Sequence, residues 1–498
     1  MASVAIYSLA SIPLALHYLS MDQFGLWALV TQIGSYLLLI DLGMSGSVSR
    51  ILIDHKDTKS DGIYGAVLQT GAFVLLVQGL CIALVGILLA WWLPAIIEVP
   101  AHFVSTFRIL TAGQCILLGI FFVGRVFTHM LQAHQRYDII NYSQIGQLGV
   151  NLAVQWLAFH RGLGLYSLLI AGAVGSLFGL AMTAAPSILL GLLPPKGSWG
   201  RPTYPLFKNI FAYGNDLFML VIGYQLLTAS QIIIITRTLG LPFAADWSIA
   251  TRTFTLAQQV VGRIFDFSSS ALGEMFVRNE QTRLEQRFRE LFVLTAAASI
   301  FVSVSVAVCN GSFVTILTKG RVSWPPGNDI LLALLLVLGC LVRCHIGLMG
   351  VTKQIGGMRY IYFLEGIVFV LGAIAGAHFI GMPGILVAAL LANVAFSGSY
   401  GTRRTARYFG VSTRQIAFQW LQAPLKFLLI LAPLGAGLWF GTIMLPPLVR
   451  LLLNSAVMGL AGLGLLWRVG LPESFRQELK AAFGRLRSSQ ELVSTPTP

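Results

Sequence analysis

The chain has 498 residues, of which 56% are hydrophobic and only 10% are charged, and its mean hydropathy is +0.78. Soluble domains have roughly a quarter charged residues, so this composition excludes a soluble enzyme and predicts a membrane protein with many spans. The net charge of +14 does not require a nucleic-acid partner. Membrane proteins ordinarily have an excess of basic residues on their cytoplasmic side, and this alone explains the charge.

Fourteen apolar segments are each long enough to cross a bilayer, which takes about 20 residues per helix. Charged residues, prolines and glycine clusters separate these segments. The predicted spans are 2–19, 24–44, 63–93, 106–131, 139–160, 164–192, 210–236, 243–271, 289–318, 329–351, 359–380, 383–402, 422–443 and 447–469. The predicted fold class is therefore an all-α polytopic membrane protein of about fourteen transmembrane helices.

The distribution of lysine and arginine predicts which loops are cytoplasmic. Most of the 33 basic residues lie in the even-numbered loops and the C-terminal tail, for example Arg278 to Arg289 and Arg403 to Arg414. Because cytoplasmic loops retain positive charge, both termini are expected in the cytoplasm. Such a surface also attracts anionic membrane lipids.

An internal repeat relates the two halves of the chain. The stretch LSMDQFGLWALV (19–30) matches LGLPFAADWSIAT (239–251), with Leu19 and Trp27 each 220 residues before Leu239 and Trp247. The repeat is offset by six spans. Because six is an even number, the two halves cross the membrane in the same orientation, and such parallel repeats are known among transporters. We predict a lobe at 1–193, a linker at 194–209, a lobe at 210–405, two further helices at 406–470 and a basic tail at 471–498.

Each half of the repeat is expected to begin with a hairpin at this stretch. We place the periplasmic turn of the first hairpin at Met21 to Gly25 and its Trp27 at the membrane interface.

Polar stripes run along several predicted spans. Arg252, Gln259 and Arg263 recur with helical spacing in span 8, as do Gln144, Gln147 and Asn151 in span 5. Such groups either line a polar cavity or hold helices together by hydrogen bonds. Both interpretations stay open for the amides, whereas for the arginines the cavity is favoured, because few acids are available to neutralise them.

Three arginines are expected near the cytoplasmic side of their spans. They are Arg125, Arg263 and Arg343, and Arg252 lies about 16 Å further out along span 8. The sequence offers Asp266 as a partner for Arg263 and Glu365 as a partner for Arg343. After these pairings an excess of positive charge remains on the arginines. Because the planar donors of arginine suit phosphate, we predict an anionic cargo with a phosphorylated headgroup.

The sequence predicts no catalytic residue, metal site or cofactor. The five cysteines all lie in apolar segments, where packing explains them. The run CLVRCH (340–345) has three residues between its cysteines where haem attachment needs two.

The quoted motifs resemble one family of transporters. LSMDQFGLWALV, followed by IDLGMSGSVSR, is similar to the first two helices of the bacterial polysaccharide-repeat-unit flippases (O-antigen, or Wzx-type, translocases). GEMFVRNEQTRLEQRFREL resembles the segment after their eighth span. This family is part of the superfamily of multidrug, oligosaccharidyl-lipid and polysaccharide exporters.

The resemblance implies a function and partners. It implies fourteen helices in two lobes, in the bacterial inner membrane, that turn undecaprenyl-pyrophosphate-linked oligosaccharide from the cytoplasmic to the periplasmic leaflet. It also implies coupling to an ion gradient, for which Asp41, Asp266 and Glu365 are the candidates. A polysaccharide polymerase and a chain-length regulator are the expected protein partners.

Other functions stay open at this point. A lipid II flippase shares the charge pattern, whereas a cation-coupled multidrug or metabolite antiporter would be expected to have an acidic cavity. A membrane polysaccharide polymerase or acyltransferase would need clustered acid and base groups or a large extramembrane loop, and the sequence shows neither.

Overall fold

The computed structural model describes residues 2–41, 44–56, 62–322, 324–352, 356–471 and 475–477. These residues form helices joined by turns, and no strand occurs among them. Each of the fourteen predicted spans coincides with one helix or with consecutive helices, so the all-α polytopic fold is confirmed. Most of the predicted basic tail at 471–498 lies outside the described residues.

Seven helices form the first part of the chain. They are α1 (Ala2–Tyr18), α2 (Met21–Leu37), α3 (Met44–His55), α4 (Ile63–Ile97), α5 (Val104–Ala133), α6 (Tyr137–His160) and α7 (Tyr166–Leu189). Of these, α3 was not predicted, because its twelve residues are too short for a span and include charged and polar groups.

Ten further helices follow. They are α8 (Tyr204–Thr238), α9 (Leu241–Ala250), α10 (Arg252–Val277), α11 (Gln281–Thr318), α12 (Pro326–Val351), α13 (Met358–Ile380), α14 (Met382–Asn393), α15 (Ser399–Phe409), α16 (Gln422–Gly441) and α17 (Pro447–Val457). Predicted span 8 is divided between α9 and α10. A π-helical turn, Val394–Gly398, joins α14 to α15, and another, Gln415–Trp420, precedes α16. After α17 the helical course continues to Gly470.

Ten helical stretches of the described chain are long and apolar enough to cross a bilayer. Helices α6 and α10 are outside this set. Their amide and arginine stripes lower the hydropathy, although their lengths of 24 and 26 residues suffice for a span.

The chain folds as two compact units. The first comprises Met1–Ile249 and Arg359–Ile385, and the second comprises Ala250–Met358 and Leu386–Pro498. In the first unit α4 packs along α5, and α6 packs along α7. In the second, α10, α11 and α12 pack against one another, and α11 also contacts α16 and α17. The six-helix lobes at 1–193 and 210–405 stay a prediction.

The start of α2 corrects the predicted hairpin turn. Ser20 Oγ accepts a hydrogen bond from the backbone N–H of Gln23 at 3.2 Å, and Gln23 Oε1 accepts one from the Ser20 N–H at 3.0 Å. This reciprocal capping box begins a helix at Met21, so Met21 to Gly25 form its first turns and not the hairpin turn.

The two matching stretches of the repeat contact each other within the first unit. A Cβ atom added at Gly25 of α2 would lie 2.0 Å from the backbone oxygen of Leu241, at the start of α9. Only glycine permits this approach. Towards the other end of α2, Gln225 Nε2 of α8 donates to the backbone oxygen of Ser35 at 2.7 Å. The matching stretches 19–30 and 239–251 are therefore also in backbone contact with each other.

Candidate functional site

Two arginines and one aspartate lie together on α10 and α12 of the second unit. Arg343 Nη2 donates to both carboxylate oxygens of Asp266, at 2.8 and 2.9 Å. Arg263 Nη1 lies 3.6 Å from Asp266 Oδ2, one turn away on the same helix. We call Arg263, Asp266 and Arg343 the arginine–aspartate trio. It carries one more positive than negative charge.

Close packing of α10 on α12 sets the position of Arg343. A Cβ atom added at Gly262 would lie 3.1 Å from both Cδ and Nε of Arg343, so the arginine side chain crosses α10 over this glycine. One turn further along α12, the Phe265 ring lies over Gly347, where an added Cβ would be 2.0 Å from Cε1. Small residues at these contacts let the two helices approach closely.

The trio is accessible in the second unit. The side chains of Arg263 and Arg343 are 52% and 54% exposed, whereas that of Asp266 is 29% exposed. Each arginine therefore has donor groups that Asp266 does not occupy. A guanidinium in this arrangement can hold a phosphate through paired hydrogen bonds.

In the structure Asp266 is the hydrogen-bond partner of Arg343, whereas the sequence had suggested Asp266 as the partner of Arg263. A single carboxylate, Asp266, contacts both arginines, and it accepts its hydrogen bonds from Arg343. Sequence alone could not select this pair, because the two residues are far apart in the chain and meet only through the packing of α10 on α12. The proposed partner, Glu365, is fully buried on α13 in the first unit.

The other predicted residues of α10 share the face of Arg263. Gln259 is exposed, and Arg252 is half-buried at the first residue of the helix. Because they belong to the same helix, their spacing continues the polar face of α10 beyond the trio.

The predicted amides of α6 make contacts between helices in the first unit. Asn151 Oδ1 accepts a hydrogen bond from the Tyr7 hydroxyl of α1 at 2.9 Å. Gln147 lies against Gly179 of α7, where an added Cβ would be 2.6 Å from Oε1. Gln144 is exposed. For Asn151 and Gln147 these contacts favour the interpretation that amides hold helices together.

Arg125 and Asp41 also lie in the first unit. The Arg125 guanidinium stacks over the Phe122 ring with 4.3 Å between its central carbon and the ring centroid. Asp41 Oδ1 accepts hydrogen bonds from Ser45, from Oγ at 2.6 Å and from the backbone N–H at 3.1 Å. The Asp41 carboxylate therefore anchors the first turn of α3, a role that was not predicted from the sequence.

Glu365 is placed where α13 crosses α8. At the neighbouring Gly366 an added Cβ would lie 2.8 Å from Leu226 Cβ, and at Gly223 it would lie 2.2 Å from the Tyr362 oxygen. The carboxyl group is thus enclosed at a tight helix crossing of the first unit.

Sequence reasoning missed a second polar cluster in the second unit. Asn310 Nδ2 of α11 donates to Asp329 Oδ1 at 2.7 Å and to the Ala250 oxygen at 3.1 Å, and Asn310 Oδ1 accepts from Thr253 at 2.7 Å. Trp324 Nε1 also donates to Asp329, at 2.9 Å. We call these residues the Asn310 network. Its central residues Asn310 and Asp329 are buried, and it joins α11 and α12 to the break between α9 and α10.

The fold matches that of known transporters. A scan against protein-family models and a search of curated proteins find no match. Among solved structures, an inward-facing multidrug resistance MATE family transporter of the MOP superfamily aligns with a TM-score of 0.67 at 14% identity, over 82% of this chain and 95% of that chain. The lipid II flippase MurJ, in an inward closed conformation, aligns with a TM-score of 0.57 at 12% identity, over 90% and 100%.

A MATE transporter in the outward-facing conformation aligns with a TM-score of 0.56 at 15% identity, over 82% of this chain and 93% of that chain. At these identities the likeness concerns the fold. The chain is therefore a multi-pass membrane protein with the fold of the MATE transporters and MurJ.

Proposed function

We propose that this protein flips undecaprenyl-pyrophosphate-linked oligosaccharide from the cytoplasmic to the periplasmic leaflet of the bacterial inner membrane. The motifs that resemble the polysaccharide-repeat-unit flippases support the proposal, as does a fold shared with a lipid II flippase and with multidrug transporters. A repeat-unit polymerase would then receive the cargo on the periplasmic side.

The observation that carries this proposal is the surplus charge of the arginine–aspartate trio. Charged groups within membrane spans cost free energy and mark substrate paths. Here two half-exposed arginines share one carboxylate, and both retain free donor positions. The pyrophosphate of the cargo would bind across Arg263 and Arg343, in competition with Asp266 for the same donors. Asp266 thereby keeps both guanidinium groups oriented when no cargo is bound.

The charge of the trio also ranks the alternatives. A lipid II flippase remains the second candidate, because its cargo has the same pyrophosphate group and the MurJ fold is similar. A multidrug antiporter for cationic compounds is less favoured, since a cation would be repelled by the net positive trio. Coupling to an ion gradient remains an expectation from the resemblance.

The test is flipping by the purified protein in proteoliposomes. The cargo is a fluorescent undecaprenyl-pyrophosphate oligosaccharide, with lipid II in a parallel experiment. Removing one hydrogen bond to a charged group costs about 1.5–3 kcal/mol, or roughly 10- to 150-fold in binding. We expect Arg263→Ala and Arg343→Ala each to weaken cargo binding by about tenfold or more, and to slow flipping at low cargo concentration.

Arg278→Ala is the matched control. Arg278 ends the same helix, is exposed, and pairs with Glu274 at 2.5 Å. We expect this variant to flip at the wild-type rate. Wild-type flipping by the Arg263→Ala/Arg343→Ala double variant would refute the assigned site, whereas faster flipping of lipid II than of the oligosaccharide cargo would favour the second candidate.

A further inference from the structure

A separate cavity of about 480 Å³ lies in the second unit, between α12, α15 and the segment that leads into α16. Its walls are mainly apolar. They include Leu338, Leu341 and Val342 of α12, together with Phe418 and Leu421 near α16. The volume is within the range of about 300–1,000 Å³ found for sites that hold drug-sized ligands.

The cavity uses the side of α12 that faces away from the arginine–aspartate trio. Gly339, Arg343 and Gly347 recur every four residues and contact α10. The cavity-lining residues Leu338 and Leu341 lie on the opposite side of the same helix, at about 100° per residue. The cavity and the trio are thus two different sites on one helix.

Irregular helix geometry shapes two of the cavity walls. The π-helical turn Val394–Gly398 supplies Val394 and Gly398, and the turn Gln415–Trp420 supplies Ile416, Ala417 and Phe418. Single π-helical turns inside helices occur frequently at functional sites. Phe418 and Val394 keep 64% and 56% of their surface exposed, so the apolar wall continues to the outer surface of the unit.

A buried histidine forms the floor of the cavity. His345 is buried, with Nδ1 at 2.8 Å from Thr405 Oγ1 and Nε2 at 3.4 Å from Thr402 Oγ1. Both threonines belong to α15, so the imidazole connects α12 to α15 below the cavity. Phe292 of α11 packs against the same ring at a tilt of 45°, with 5.0 Å between centroids.

The mouth of the cavity is cationic. Arg403 and Arg414 both line it and are exposed, and Ser399 and Thr413 are also among the lining residues. No acidic residue is among its lining residues, which all belong to the described part of the chain. The lysine and arginine distribution predicts that this basic segment is cytoplasmic, where the leaflet is anionic.

We propose that this cavity binds one anionic phospholipid of the cytoplasmic leaflet, with its phosphate at Arg403 and Arg414 and its acyl chains against Phe418, Leu338 and Leu341. Two arginines next to an apolar wall that reaches the surface fit a ligand with a charged head and apolar chains. A soluble phosphate would leave this wall without a partner. The bound lipid would connect α12 to α15 and to the start of α16.

The test uses the full-length protein in mixed micelles of detergent and phosphatidylcholine, with or without added phosphatidylglycerol, and counts bound lipids by native mass spectrometry. We expect the wild-type protein to retain one phosphatidylglycerol in preference to phosphatidylcholine. Arg403→Ala/Arg414→Ala should lower the affinity for phosphatidylglycerol by about tenfold or more. Arg407→Ala is the matched control, because Arg407 is exposed on α15 but does not line the cavity.

A second variant keeps every charge. Ala417→Trp places an indole in the cavity and should exclude the lipid while the protein remains folded, as judged by gel filtration. Equal retention of phosphatidylglycerol and phosphatidylcholine by the wild type, or equal losses in Arg407→Ala and the double variant, would overturn the proposal. Displacement of the lipid by glycerol 3-phosphate alone would also overturn it, because the site would then be one for a soluble anion.

Discussion

Helices α10 and α12 contribute to two polar clusters of the second unit, the arginine–aspartate trio and the Asn310 network. In the trio the side chains are partly exposed, and two cations share one acid. In the network, Asn310 and Asp329 are almost completely buried, and Asp329 Oδ1 accepts hydrogen bonds from both Asn310 and Trp324. The same pair of helices thus contains one accessible cluster and one enclosed cluster.

This difference shows how polar groups inside spans are to be interpreted. Buried polar groups that satisfy one another hold helices together, and their cost of burial is offset by hydrogen bonds. Exposed groups with unused donors can take a ligand. We therefore expect changes in the Asn310 network to affect folding, and changes in the trio to affect cargo binding.

The largest expected effect is that of Asn310→Ala on stability. The change removes three hydrogen bonds and leaves the partly buried Thr253, the buried Asp329 and the Ala250 oxygen with fewer partners. Since each unsatisfied buried group costs about 1–3 kcal/mol, we expect a loss of about 3 kcal/mol or more, seen as a lower melting temperature in detergent. Thr255→Ala, an exposed position on α10, is the control. Equal melting temperatures would contradict the assigned role of the network.

A smaller effect, on binding and not on stability, is expected for Asp266→Asn. Asp266 is partly exposed, and exposed ion pairs contribute only about 0–1 kcal/mol. Removing its negative charge leaves Arg263 and Arg343 with a stronger attraction for pyrophosphate, so binding should tighten by about two- to tenfold and release should slow. Equilibrium binding of the fluorescent cargo measures the first effect and flipping rates measure the second. Weaker binding would mean that the role of Asp266 in orienting the two arginines outweighs its competition with the cargo.

The sequence predicted the fold well because each span is set by local composition. Apolar length and the breaks between segments located a helix for every span. Two local features were missed. The capping box of Ser20 and Gln23 moves the start of α2 before the predicted span, and α3 is a short helix with a polar sequence.

The candidate site was predictable only in part, for a physical reason. Helical spacing along span 8 placed Arg263 and Asp266 on one face, and the structure keeps them adjacent. The pairing of Asp266 with Arg343 depends on how α10 packs on α12, which spacing within a single helix does not reveal. Asp329 was missed because it stands near the beginning of a span, where an acid is expected to face water, and its partner Asn310 comes from α11.

The smallest expected effect tests whether the trio acts through its geometry. In Gly262→Ala the added methyl would lie 3.1 Å from Cδ and Nε of Arg343, so this side chain must shift by a few tenths of an ångström. All charges remain, and the end of an arginine side chain moves easily. We therefore expect cargo affinity to fall by only about two- to threefold, because misplacing a binding group weakens its contacts. The melting temperature should not change.

Gly149→Ala on α6, where an added Cβ has no neighbour within 4 Å, is the control for adding a methyl group to a helix. If Gly262→Ala impairs cargo binding as strongly as Arg343→Ala does, the charge of Arg343 is not its main contribution to cargo affinity. The packing of α10 on α12 would then control binding, and the distinction between an accessible binding cluster and an enclosed structural one would no longer hold for these helices.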